Sequence, residues 1–157
     1  MPSRVASFAA PLSLLLLVCG FCPTPCAAAD VALPGLDGGE LVPGDLESGD
    51  HVIVVWAPWS PRCRDIATSV GQLQLAWGER ARVLTVVFQD SPDRIRRFLA
   101  ENSLETPVFL DLEGTFSKRH GVATLPTLLV FRDGQRLFRG QLPVDAVPLV
   151  DRHLGAR

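Results

Sequence analysis

Tyrosine is absent from the 157 residues, and Lys118 is the only lysine beside fourteen arginines. Without a phenol, no mechanism that uses tyrosine as acid or base is open to this chain. The arginine bias reads as genomic base composition rather than as mechanism. A basic excess is also missing: 15 Lys and Arg face 17 Asp and Glu, which excludes the usual footprint of a nucleic-acid binder. Histidine is sparse. His51, His120 and His153 are dispersed and share no ligand spacing with a cysteine, so no metal is expected, and no cofactor is expected either. Sulfur is sparser still once the first 29 residues are set aside, because Cys19, Cys22 and Cys26 fall there and only Cys63 lies beyond. An internal disulfide in the body of the chain is thereby excluded. What is present is 47% hydrophobic residues with charges of both signs throughout the main body. That composition makes one folded domain with a real core and excludes intrinsic disorder.

Residues 1–29 read as a secretory signal peptide. Arg4 is the only charge before Asp30, an apolar stretch runs from Ala9 to Cys22, and Ala27, Ala28 and Ala29 supply small residues for cleavage. The stretch falls short of the roughly 20 residues that span a bilayer, and Pro11, Pro23 and Pro25 interrupt a long helix. Cleavage near Ala29 makes the protein periplasmic. Contact with a membrane is expected only if the segment stays uncleaved as an anchor or is lipidated at Cys19, where Val18 is bulkier than a lipoprotein signal prefers.

Residues 30–50 are rich in Gly, Pro and acids and read as a loose N-terminal hairpin. Residues 51–154 then alternate strands and helices, which makes the fold class α/β with a mixed sheet. The β-branched run from His51 to Trp56 predicts a strand buried on both faces. Ser60 and Pro61 suit the N-cap and first residue of a helix reaching Trp77, with Ile66, Val70, Leu73 and Trp77 on its apolar side and Gly78 at its end. A second strand is expected over 82–88 and a second helix from Ser91 to Asn102. A short extended piece over 107–110 precedes a helical turn over 115–120, closed by Gly121. A third core strand over 127–132 turns at Asp133 and Gly134 into its hairpin partner, and a closing helix is expected over 143–154.

The segment Trp56-Ala57-Pro58-Trp59-Ser60-Pro61-Arg62-Cys63 resembles the thioredoxin active-site segment, with serine in place of the first cysteine. Further along, Gly121-Val122-Ala123-Thr124-Leu125-Pro126-Thr127 is similar to the family's Gly-Val-x-x-x-Pro-Thr segment, whose proline is cis and faces the active site. Gln89-Asp90 followed by a helix, and then Thr106 to Asp111, resembles the insertion of exported TlpA/ResA-like thioredoxins. The likeness covers about residues 33–154 and implies a thioredoxin-like fold.

In that family the first cysteine sits at a helix N-terminus, where unpaired N–H groups and the helix dipole stabilise its thiolate. It attacks a substrate disulfide, and the second cysteine resolves the mixed disulfide. An alcohol cannot carry this exchange, so Ser60 marks a substituted nucleophile position. Cys63 holds the place of the resolving cysteine. Two acids that the family uses for proton handling are replaced by Val54 and Ile66, and Asp65, one residue from Ile66, lies about 100° away around a helix. The resemblance keeps the binding half better: Trp56, Trp59, Pro61, Leu125 and Pro126 would line a groove that holds extended polypeptide as an added strand. Trp56 also reads as plain strand core. The expectation is therefore a degenerate Ser-x-x-Cys protein that grips polypeptides or partner proteins without redox turnover. A monothiol oxidoreductase acting through Cys63 with an external resolving thiol is the alternative. Arg62 and Arg64 flank that cysteine but point to either side of it.

Overall fold

A computed structural model of the chain describes residues 32–155. The signal peptide expected over 1–29 lies outside them. Strand β3 (Asp50–Trp56) is the hub, and all seven of its residues are buried. Its β-branched side chains fill both faces of a five-stranded sheet, in the order β5-β4-β3-β6-β7. Strands β4 (Arg82–Phe88) and β5 (Val108–Asp111) run parallel to β3 on one side. Strands β6 (Thr127–Arg132) and β7 (Gln135–Gln141) continue the sheet antiparallel on the other. Parallel neighbours need crossovers, supplied by α1 (Ile66–Trp77) and α2 (Pro92–Glu101). Two further helices, α3 (Thr115–Arg119) and α4 (Val147–Leu154), complete the layers.

The N-terminal hairpin pairs β1 (Leu33–Pro34) with β2 (Glu40–Leu41) and buries Leu33 and Leu41. Its Leu36 amide donates to the Val108 carbonyl at 2.9 Å, so the segment covers the edge of β5 that would otherwise stand open. At the opposite end, Asp133 (φ 48°) and Gly134 (φ 77°) both take the left-handed conformation that a two-residue hairpin turn with the native twist requires. Arg132 ties this end together. Its guanidinium donates to Asp50 at 2.9 Å and to the Leu154 carbonyl at 2.9 Å, linking β6, β3 and the end of α4.

Two helices begin later than their sequence suggests. The helix expected from Pro61 is a tight 3-10 turn over Pro61–Cys63, and α1 starts only after Asp65, whose φ of −100° and ψ of 24° break the run. Such turns are common at helix N-termini, and aspartate favours a cap over a helix interior. The closing helix expected from residue 143 starts at Val147. Pro148 sits in its first turn, where the missing N–H costs nothing, and its ring would clash with a helical backbone four residues earlier. Among the described residues, no helix is long and apolar enough to cross a membrane.

Candidate functional site

Register brings two distant segments to one end of the sheet. Trp56 pairs with Val87 in parallel, and Val55 pairs with Thr127 in antiparallel. The chain leaving β3, the end of β4 and the segment entering β6 must therefore converge. They enclose an open pocket of about 510 Å³. Residues 59–62 form one wall, residues 122–125 the other, and Phe88 lies between. Trp59 is 49% exposed, and its ring meets Phe88 at 6.4 Å between centroids. The lining is mostly apolar. Arg62 is its one charged side chain.

Ser60 lines the pocket although it is only 8% exposed. It starts the 3-10 turn but makes no side-chain cap bond. Its carbonyl instead accepts the Cys63 amide at 2.9 Å, while its own amide donates to Ala57 at 3.1 Å. Cys63 turns the other way. It is 1% exposed and joins the core cluster that contains Val54, Trp56, Ile66 and Leu128. Val54 and Ile66, at the positions of the family's two acids, are both buried in that cluster.

Of the groove residues expected from the sequence, Trp59, Ser60, Pro61 and Leu125 come together around the pocket. Trp56 does not. Its side chain is fully buried and meets the Phe98 ring at 4.9 Å between centroids, tilted by 46°, because the strand alternation at this end points it into the helix-covered face. Pro126 is buried as well and is not among the residues that line the pocket. The Leu125–Pro126 peptide is cis, and the Pro126 carbonyl accepts the Leu142 amide at 3.1 Å. The sequence reading missed Phe88, Arg62, Val122, Ala123 and Thr124 as lining. Val122, Ala123 and Thr124 lie within the Gly-Val-x-x-x-Pro-Thr segment, the first as its fixed valine and the other two among its unassigned positions. Phe88 carried no signal beyond ending an apolar run.

The 122–125 wall is held from behind. Buried Asp111, at the end of β5, accepts the amides of Phe116 (3.1 Å) and Ser117 (2.8 Å) and so fixes the start of α3. The end of α3 is fixed by arginines from β7. Arg136 donates to the His120 carbonyl at 3.1 Å, and Arg139 donates to the Gly121 carbonyl at 3.0 Å. The His120 ring lies between Phe116 (4.3 Å) and Phe131 (5.3 Å). Burial, then the charges of Arg136 and Arg119, push its pKa down from 6.5 to about 4, against the opposing pull of Asp111. Among the described residues, no group of His, Cys, Asp and Glu could hold a metal ion.

Comparison with known proteins places this geometry. Residues 25–137 match the AhpC/TSA family. Thioredoxin 1 of Synechococcus elongatus is 28% identical over 116 residues, covering 69% of this chain and 85% of that protein. Among solved structures, the thiol:disulfide interchange protein DsbE from Chlorobium tepidum superposes with a TM-score of 0.70 at 24% identity, covering 82% of this chain and 93% of that one. A secreted disulfide oxidoreductase of Mycobacterium tuberculosis superposes with a TM-score of 0.67 at 19% identity, covering 82% and 96%. The fold is thioredoxin-like, with a mixed central sheet flanked by helices.

Proposed function

Because this chain belongs to the AhpC/TSA family and its fold is that of thiol-disulfide oxidoreductases, we propose that it is an exported, TlpA/ResA-like member with a degenerate site. It binds extended polypeptide in the pocket beside Trp59 and does not exchange disulfides. One observation carries the reading: the residue that borders the pocket at the nucleophile position is Ser60, while Cys63 is shut in the core. A disulfide presented in the pocket meets a hydroxyl, and oxygen cannot replace sulfur in the exchange. What supports binding is an apolar pocket with an exposed indole, beside the strand-entering backbone of residues 122–125. Residues 1–29 act as the signal peptide, residues 30–50 as the N-terminal extension and residues 51–154 as the working domain. Export fits the sequence of that leader, and the M. tuberculosis neighbour is itself described as secreted.

The test is binding of a polypeptide that has no disulfide to exchange. Carboxymethylated insulin B chain titrated into the protein should give saturable binding, which Trp59→Ala abolishes and Cys63→Ala leaves intact. Binding that depends on the Cys63 sulfur in a variant that remains folded would instead point to monothiol chemistry.

A further inference from the structure

The walls of the pocket are apolar, but its surroundings carry more cations than acids. The segments that build or brace the pocket (residues 58–65, 111–125 and 135–141) carry six Lys or Arg against Asp65, Asp111 and Glu113, in a chain whose net charge is −2. Arg62 lies in the lining itself. It is exposed and takes part in no ion pair among the described residues. On the far side, Arg136 and Arg139 bond only to carbonyl oxygens of His120 and Gly121, so their charge is not neutralised by a carboxylate there. Two acids on the Phe88 side are buried and already engaged: Asp111, the cross-strand partner of Phe88, accepts the Phe116 and Ser117 amides, and Asp90 accepts the Ser91 amide at 2.7 Å and pairs with Arg94 at 3.4 Å.

We propose that the groove selects acidic polypeptide segments, seating one large apolar side chain against Trp59 and Leu125 and pairing a flanking Asp or Glu with Arg62. The inference rests on the groove reading above and names its substrate class. An apolar pocket alone accepts any hydrophobic side chain. The rim charge adds discrimination, since a like charge beside Arg62 is repelled while a carboxylate is attracted. The low-polarity wall next to Arg62 strengthens both effects compared with open water. At physiological ionic strength the field reaches only about 8 Å, so the local cations outweigh the slight negative charge of the whole.

Two synthetic peptides test this, acetyl-Gly-Glu-Ala-Leu-Phe-Ala-Glu-Gly-amide and its counterpart with both Glu replaced by Lys. They are titrated into protein purified from cells expressing the full chain. The Glu peptide should bind roughly tenfold more tightly than the Lys peptide. That preference should fade in 1 M salt, where the screening length falls to about 3 Å. Arg62→Glu should erase or reverse it, whereas Arg152→Glu on α4, the same charge change away from the pocket, should leave it in place. Equal binding of both peptides, lost in Trp59→Ala, would overturn the acidic preference and leave the groove reading standing. A preference that survives Arg62→Glu would overturn it as well. Failure of both peptides to bind would overturn the groove reading and this inference together.

Discussion

Ser60 and Cys63 are joined by one hydrogen bond, from the Cys63 amide to the Ser60 carbonyl at 2.9 Å, yet they face opposite environments. Ser60 borders the pocket, and Cys63 belongs to the core. A single tight turn thus separates the residue that can meet a ligand from the residue that could react with one. Alkylation of Cys63 should follow from this. In native protein, iodoacetamide has to wait for local opening, so labelling at neutral pH should be at least about a hundredfold slower than in denaturant. Native labelling as fast as that of unfolded protein would contradict the burial.

The two tryptophans of the motif should separate binding from stability. Trp59 is half-exposed, so Trp59→Ala should cost only about 1–2 kcal/mol of stability, from the part of the indole packed on Phe88, while removing polypeptide binding. Trp56 is buried against Phe98, and Trp56→Ala should destabilise the fold by about 3–5 kcal/mol through the cavity it leaves. Urea midpoints and B-chain titrations of the two variants check both outcomes.

Asp111 should matter to the pocket without touching it. Asp111→Ala strands the amides of Phe116 and Ser117 at the start of α3, a loss of about 2–3 kcal/mol for a buried charged acceptor. Because residues 122–125 follow directly from α3, binding should weaken along with stability. Asp111→Asn, which keeps one acceptor oxygen, should fall between the two in both measurements.

His120 sets a pH dependence whose sign is fixed by its environment. Its folded pKa, about 4, is below the ordinary 6.5, so between these values the unfolded chain binds more protons than the folded one. Stability therefore rises with pH across this window and is lost as pH falls from about 6.5 towards 4. Thermal midpoints at pH 7 and pH 4.5 should differ more for the wild type than for His120→Gln, which does not titrate. Parallel profiles would show that the imidazole contributes nothing.

Much of the fold could be read in advance because its signals are local. Strands β3, β4 and β6 are continuous apolar runs, and Asp133-Gly134 is a turn with its own chemistry. Ser91 accepts the Arg94 amide as a helix cap should. What the sequence left open or misplaced has two kinds of physical cause, tertiary and local. Whether Trp56 points into the core or the groove depends on which face of the sheet the helices cover, which period-2 alternation does not tell. The late starts of α1 and α4 turn on Asp65 and Pro148, single residues whose conformations compete with a periodic pattern that runs past them. Phe88 reaches the pocket only through the parallel register of β4 on β3, a tertiary fact with no mark in the sequence around it. The pairing of Ser60 with residues 122–125, by contrast, was available from two motifs some sixty residues apart, and the antiparallel β3–β6 register shows why they meet.

The most direct test is insulin reduction with dithiothreitol as the electron source. With Ser60 at the pocket and Cys63 enclosed, the wild-type protein should not exceed the dithiothreitol background, and Ser60→Cys should rise above it because the turn now offers a thiol at the pocket. Robust wild-type turnover that disappears in Cys63→Ala would contradict the degenerate site and make Cys63 a working monothiol.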